Sequence, residues 1–285
     1  MQKIWVCGAR GQIGQAVNDV VDKLEFEMLD TDVDDLDVTD TDEVLRFGEM
    51  NRPDIIINCS GMTDIAACEE NPSRAFKVNA LGARNLAIVA AKMQAKMVQL
   101  STDDVFDGKS TEPYTEFDLV NPGTVYGKSK LAGENYVKEF TTKHFIVRST
   151  WVYGKGQNFI SDFLKKVDAG EQLSIASDQF GSPTSANELA RFLLHLVHTS
   201  EYGTYHATNK GVCSRYVFAQ EILKMTGKTA SMQPVPTVMS DFSKVRPAYA
   251  VLDNFIMSMV PIYDFPDWQD SLREYLEERG LYHAE

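Results

Sequence analysis

The chain has 285 residues, 44% of them hydrophobic, and a formal net charge of -13. That length fits one large domain or a main domain with a smaller companion, and the apolar content excludes global disorder. A surface this acidic repels a phosphate backbone, which excludes general nucleic-acid binding.

In chain order, Lys3-Ile4-Trp5-Val6-Cys7 is a short apolar run ending at glycine and predicts a buried strand. A helix is predicted from Gln12, with Ile13, Ala16, Val17, Val20, Val21 and Leu24 on one side. Phe26 to Leu29 predicts a second strand, followed by an acidic stretch from Asp30 to Asp42. A helix over 43–50 leads to Pro53 and the strand Ile55-Ile56-Ile57-Asn58-Cys59. Then come a helix over 73–92, a strand from Lys96 to Ser101, a helix starting near Tyr126 and a strand from His144 to Arg148. Strands this apolar, separated by helices, imply a parallel sheet covered on both faces. Right-handed crossovers make it a doubly wound, Rossmann-like α/β fold.

The second half is less regular. Helices are predicted over 159–169, 185–199, 214–226 and 267–279, and Gly203-Thr204-Tyr205-His206-Ala207 reads as a strand. Residues 228–266 hold five of the ten prolines, with several strand-like pieces. We expect residues 1–150 to form a dinucleotide-binding domain. Residues 151–285 are expected to form mainly a smaller C-terminal substrate-binding lobe over the carboxyl edge of the sheet, with segments near 173–207 rejoining the first domain. The apolar stretch before Gly8 is too short for a signal-peptide core, and no apolar run approaches the ~20 residues that span a bilayer. Cys7, Cys59, Cys68 and Cys213 follow no metal-finger or CxxC spacing. These features predict a cytoplasmic protein with reduced thiols and no membrane partner.

The turn Gly8-Ala9-Arg10-Gly11-Gln12-Ile13-Gly14 joins the first strand to the first helix. In such a turn the first glycine permits the tight bend, the second lets the backbone approach a pyrophosphate, and the third lets helix and strand pack closely. The helix N-terminus adds free N–H groups and a partial positive charge. With an acid after the second strand, this is the context of a nicotinamide dinucleotide site. Asp32 is spaced to accept hydrogen bonds from an adenosine ribose, with Asp30, Asp34, Asp35 and Asp37 close by as alternatives. Arg10 argues the other way, because a cation in the loop can meet the 2′-phosphate of NADP. These residues leave NADPH against NADH open.

Tyr126-Gly127-Lys128-Ser129-Lys130 is a YxxxK spacing that puts Tyr126 and Lys130 on one helix face. A phenol with an ordinary pKa near ~10 is a poor acid–base group at neutral pH. A neighbouring ammonium stabilises phenolate and lowers that pKa. The pair can then give a proton to a carbonyl oxygen as hydride reaches its carbon, a form of general acid catalysis that contributes ~10²–10⁴-fold. Ser101-Thr102-Asp103 ends the fourth strand, where a hydroxyl can bond the same substrate oxygen. Thr102, Tyr126 and Lys130 are therefore the expected acid–base group. Gly61-Met62-Thr63, after the third strand, are expected to line the cofactor.

With these motifs the chain resembles the extended short-chain dehydrogenase/reductases, and within them the dTDP-4-dehydrorhamnose reductase family. In the first half the likeness rests on Gly8–Gly14, Asp32-Val33, Leu36-Asp37-Val38-Thr39, Asn58-Cys59, Leu100–Asp103, Val105–Gly108, Asn121-Pro122 and Tyr126–Lys130. In the second half it rests on Arg148–Gly154, Asn158-Phe159, Asp178–Thr184, Gly203–His206, Arg246–Tyr249, Val251–Asp253 and Trp268–Leu272. The resemblance implies that NADPH, or alternatively NADH, delivers hydride to C4 of a dTDP-4-keto-6-deoxyhexose. It implies that Tyr126 protonates the new hydroxyl and that Lys130 holds the nicotinamide ribose. Thr102, Asp103 and Trp151 would contact the sugar, and Arg246 the diphosphate. The implied cofactor site comprises Gly8, Arg10, Gly11, Gln12, Ile13, Gly14, Asp32, Asp37, Val38, Gly61, Met62, Thr63, Tyr126 and Lys130. The expected partner is a small nucleotide sugar, and the expected assembly a monomer or homodimer.

Three departures stand out. The family's Ser-Thr-Asp-Tyr-Val-Phe is here Ser101-Thr102-Asp103-Asp104-Val105-Phe106, which is expected to put a carboxylate in the sugar-facing wall. Asp64-Ile65-Ala66 replaces the usual Ala-Val-Asp. Some relatives bridge subunits with a metal held by an acid just after the third glycine; Gln15 and Ala16 follow Gly14 here, and no such metal is expected. Asp104 keeps open a reductase of another nucleotide-linked 4-keto-6-deoxysugar. The chain is also similar to the methionine adenosyltransferase β subunit, a non-catalytic NAD(P)-binding regulator that keeps the YxxxK pair. Dehydratases of the superfamily carry Asp-Glu after the strand-four threonine, whereas Thr102 is followed by Asp103-Asp104.

Overall fold

The computed structural model of the protein describes residues 1–239 and 248–283. The chain opens with β1 (Gln2–Cys7), α1 (Gln12–Val20), β2 (Phe26–Thr31), α2 (Thr41–Asn51) and β3 (Ile55–Asn58). Next are α3 (Ile65–Glu70), α4 (Pro72–Phe76), a π-helical turn (Lys77–Gly82), α5 (Ala83–Met93) and β4 (Lys96–Thr102). A 3₁₀ turn (Asp103–Val105), α6 (Val125–Phe140) and β5 (His144–Ser149) follow. The second half contains β6 (Val152–Tyr153), α7 (Phe159–Asp168), β7 (Leu173–Ala176), β8 (Phe180–Gly181), β9 (Thr184–Ser185), α8 (Ala186–His198) and β10 (Gly203–His206). It continues with β11 (Cys213–Ser214), α9 (Arg215–Thr226), β12 (Met232–Val235), β13 (Tyr249–Ala250), α10 (Phe255–Met259) and α11 (Trp268–Glu277).

The main sheet has six strands in the order β2-β1-β3-β4-β5-β10, every neighbouring pair parallel. Successive side chains of a strand point to opposite faces, and both faces are covered. Ile4, Val6, Ile57 and Val98 pack with Val17 of α1 and Leu189, Phe192 and Leu193 of α8. Trp5, Cys7, Ile56 and Met97 pack with Val44 of α2, Leu86 and Val89 of α5 and Val137 of α6. Burial on both faces is why the strands are continuously apolar, each large side chain contributing roughly 1.5–3 kcal/mol. From β1 the chain passes to one side for β2 and to the other for β3. That reversal opens a crevice at the carboxyl ends of the strands, where α/β sheets bind ligands.

A second core is formed by Tyr153, Phe163, Ile175, Phe218, Trp268 and Leu272, from α7, α9, α11 and the short strands near them. Two sequence expectations differ from the structure. The helix expected over 73–92 is three pieces, because Asn79 in the π-helical turn is drawn to the Met62 backbone. Leu24, expected on the buried side of the first helix, is 91% exposed, because α1 ends at Val20 and Val21 is extended. Among the described residues no helix is long and apolar enough to cross a membrane.

Candidate active site

The glycine turn is pinned at both ends. Gly8 and Ala9 donate N–H bonds of 2.8 and 3.1 Å to the Thr31 carbonyl at the end of β2. Gly8 has φ +77°, and a Cβ there would lie 2.8 Å from the Ser60 nitrogen, so only glycine fits. Gly14 sits at the base of the turn, where a Cβ would overlap the Gly8 carbonyl oxygen; its role is packing. Gly11 caps α1 without a side chain and lines both cavities, and a Cβ there would lie 3.2 Å from the Gly8 carbonyl oxygen, so the first turn of the helix presents its N–H groups to the crevice. That cradle fits a pyrophosphate.

Two cavities of about 560 and 640 Å³ meet at Gly11, Cys59, Ser60 and Gly61 and form one groove over the crevice. The first is lined by Gly8, Arg10, Asp32, Asp37, Val38 and Met62, together with Ser60 and Arg74, which sequence reasoning missed. Asp32 accepts N–H bonds from Arg10 at 2.9 Å and Val33 at 2.8 Å, one on each carboxylate oxygen. The Arg10 guanidinium lies 3.1 Å from Asp34, 3.4 Å from Asp35 and 3.8 Å from Asp32. Exposed pairs of this kind contribute ~0–1 kcal/mol, so a phosphate can recruit the arginine at little cost.

Gln12, Ile13, Thr63, Thr102, Asp103, Tyr126, Lys130 and Trp151 line the second cavity. Tyr126 and Lys130 stand in the first turns of α6, whose N-cap Thr124 accepts the Gly127 N–H at 2.9 Å. Here α6 approaches the end of β4 so closely that a Cβ on Gly127 would overlap the Asp104 carbonyl oxygen. Asn79 ties this helix to the β3–α3 loop. Its Oδ1 accepts the Met62 N–H at 2.8 Å, and its Nδ2 donates to the Met62 carbonyl at 3.0 Å and to Ser129 Oγ at 2.8 Å. A π-helical turn at such a place is common near functional groups.

Lys130 is buried. Burial pulls its pKa down to about 8 against the opposing pull of Glu134, one helical turn on. Glu134 is itself fully buried and accepts Arg148 Nε at 2.9 Å and Nη2 at 2.8 Å, with Ser101 Oγ donating at 2.6 Å. The Cys59 thiol is pushed up to about 12 by burial and stays protonated. The Thr102 hydroxyl donates to Asp103 Oδ1 at 3.1 Å and accepts the Asp104 N–H at 3.2 Å. A phenol, an ammonium and a hydroxyl thus share one cavity that continues into the cavity lined by the glycine turn.

The family model for the RmlD substrate binding domain matches residues 1–280. The structure is similar to a dTDP-4-dehydrorhamnose reductase from Clostridium acetobutylicum, with TM-score 0.95 and 40% identity, covering 98% of this chain and 100% of that one. The chain belongs to the dTDP-4-dehydrorhamnose reductase family. A Bacillus anthracis member solved in complex with NADP has TM-score 0.94 and 35% identity, covering 98% of this chain and 100% of that one. A spore coat polysaccharide biosynthesis protein of Bacillus subtilis is 35% identical, covering 98% of this chain and 99% of its own length.

Within this dTDP-4-dehydrorhamnose reductase fold, Asp104 does not stand where expected. It is 1% exposed and lines neither cavity. The 3₁₀ turn folds its Oδ2 to 3.4 Å from Thr102 Oγ1, beneath the wall rather than in it. Arg246 lies outside the described residues. Sequence reasoning also missed Asn79, Ser149, Thr150, Gln179 and Arg215 at the site. Gln179 lay within the quoted Asp178–Thr184 segment; Arg215 carried no signal. Among the described residues no group of three or more His, Cys, Asp or Glu is placed to hold a metal.

Proposed function

We propose that the protein is an NADPH-dependent reductase that converts dTDP-4-dehydro-L-rhamnose to dTDP-L-rhamnose. The observation that carries this reading is the single groove joining the glycine turn to Tyr126, Lys130 and Thr102. In this reading Gly8 to Gly14 hold the pyrophosphate, Asp32, Asp37 and Val38 the adenosine, Arg10 the 2′-phosphate, and Gly61 to Thr63 the nicotinamide half. NADPH, when bound, supplies the hydride that reduces the C4 carbonyl carbon. Tyr126 gives its phenolic proton to O4, and the Lys130 ammonium stabilises the phenolate left behind. The Thr102 hydroxyl, now turned to Asp103, turns to O4 and orients the carbonyl. Asp103 and Trp151 hold the sugar.

The second core, around Phe163, Phe218 and Trp268, serves as the substrate lobe, while α8 and β10 stay with the nucleotide-binding sheet. In this reading the catalytic unit is one protomer, as a monomer or within a homodimer. Four free thiols fit a reducing, cytoplasmic setting.

The test is NADPH oxidation followed at its absorbance with dTDP-4-dehydro-L-rhamnose, and product identification by NMR. Wild-type protein should turn over, and Tyr126→Phe should lower kcat by ~10²–10⁴-fold with NADPH affinity kept. No consumption of NADPH with this ketosugar overturns the assignment. dTDP-4-keto-6-deoxy-D-glucose in the same assay tests the alternative substrate.

A further inference from the structure

Trp151 is one of three non-glycine residues with positive φ among the described residues, at +46°. The other two, Arg52 and Gln94, end helices, where that conformation is common. For a bulky residue outside a helix end it is a strained conformation, held by its surroundings. The surroundings are visible. The indole lies against Gly181 so closely that a Cβ there would sit 2.5 Å from its Cε2. The guanidinium of Arg215, the first residue of α9, stacks on the indole with Cζ 3.5 Å from the ring centroid, and lies 5.1 Å from the Phe159 ring. Gln179 fixes the arginine from behind. Its carbonyl accepts the Arg215 N–H at 3.1 Å, and its Oε1 accepts Arg215 Nε at 3.3 Å.

This half-buried, pre-positioned cation lines the substrate cavity. Among the described residues, the other charged residues lining that cavity are Asp64, Asp103, Asp162 and Lys130. Lys130 belongs to the acid–base group on the sheet side, and three carboxylates oppose an anionic substrate. In a pyranose C1 lies across the ring from C4. When C4 faces Tyr126 on α6, the group on C1 therefore lies across the ring from Tyr126, in the cavity that Trp151, Gln179 and Arg215 also line. A planar fork held on an aromatic ring is suited to bidentate recognition of phosphate oxygens.

We infer that Arg215, stacked on Trp151 and held by Gln179, receives the diphosphate of the nucleotide sugar and so selects a diphosphate-linked ketosugar. This assignment rests on the reductase reading above for its substrate class. The test is isothermal titration of dTDP and of thymidine into wild type, Arg215→Met and Arg215→Lys, with ketosugar kinetics alongside. Arg215→Met keeps a side chain over the indole and removes the charge. It should weaken dTDP binding by ~10–100-fold, the effect of losing a charged hydrogen bond, while thymidine binding stays within about twofold. KM for the ketosugar should rise by a similar factor with KM for NADPH unchanged, and Arg215→Lys should recover part of the dTDP affinity. Unaltered dTDP binding in a variant that melts like wild type would overturn the inference, as would an equal loss of dTDP and thymidine. If wild type binds dTDP through Arg215 yet leaves NADPH unconsumed, the reductase reading fails and the diphosphate contact stands.

Discussion

Lys130 shows how one buried charge sets a working range. An ordinary lysine keeps its proton to above pH ~10, but burial brings this one to about 8. The ammonium that assists Tyr126 is therefore present below pH 8 and is lost as pH rises through that value. The ketosugar kcat/KM should be level near neutrality and decline above about pH 8. Glu134 works in the opposite sense to burial, so Glu134→Gln should move that decline to lower pH. The same change strips the Arg148 guanidinium of its charged partner, and breaking a buried pair costs about 3 kcal/mol, which a urea melt would register. A decline that stays in place in Glu134→Gln would mean that Lys130 is not the group being titrated. Individual residues differed in how far they could be read. Tyr126 and Lys130 declare themselves by a spacing that helix geometry converts into a shared face. Asp104 misleads because its neighbours in the chain do not determine whether a 3₁₀ turn points it into the cavity or beneath its wall. Arg215 carries no local pattern, since its partners Trp151 and Gln179 come from distant parts of the chain.

At the scale of elements, the π-helical turn between α4 and α5 is the part that positions the acid–base helix. The apolar periodicity over 73–92 reads as one helix because a local shift in backbone register leaves nearly the same face apolar. What distinguishes the turn is Asn79, whose amide reaches both the Met62 backbone and Ser129 on α6. Asn79→Ala leaves the Met62 N–H without its acceptor, at a cost of about 1–3 kcal/mol. It also frees the Gly61–Thr63 loop that bridges the two cavities. We expect a lower melting temperature and a raised KM for NADPH, and Asn79→Asp, which keeps one acceptor, should recover part of the cofactor affinity. An unchanged KM for NADPH in Asn79→Ala would show that the loop is held by other means.

For the whole molecule, the six-stranded sheet was legible because it obeys rules that act locally: apolar strands, intervening helices and a glycine turn at the first crossover. The second half was less so. Its strands are two to four residues long, and they pair with partners far away in the chain, as β12 with β7 and β13 with β8. His206, at the end of β10, shows how the distant parts are joined. Its ring Nδ1 lies 3.0 Å from the Tyr114 carbonyl and 3.1 Å from the Asp253 carbonyl, which makes Nδ1 the protonated nitrogen. Its backbone N–H donates to Glu116 at 3.0 Å, and Phe106 meets the ring edge-on at 5.6 Å. The sheet edge, the 106–116 loop and the segment before α10 thus converge on one neutral imidazole. Burial, with Arg148 nearby, holds its pKa at about 3. The unfolded chain takes up this proton near pH ~6.5, whereas the folded chain does not until pH approaches 3. The unfolded state therefore binds more protons across that window, and the contribution of His206 to stability is intact above pH ~6.5 and falls steadily below it. Urea titrations of wild type and His206→Gln at pH 7.5 and pH 5 isolate the effect, because other acid-sensitive groups are common to both proteins. His206→Gln should be the less stable protein at pH 7.5, where the imidazole bonds are intact, and the gap should narrow at pH 5. A gap that is the same at both pH values would mean that the imidazole does not stay neutral across this range.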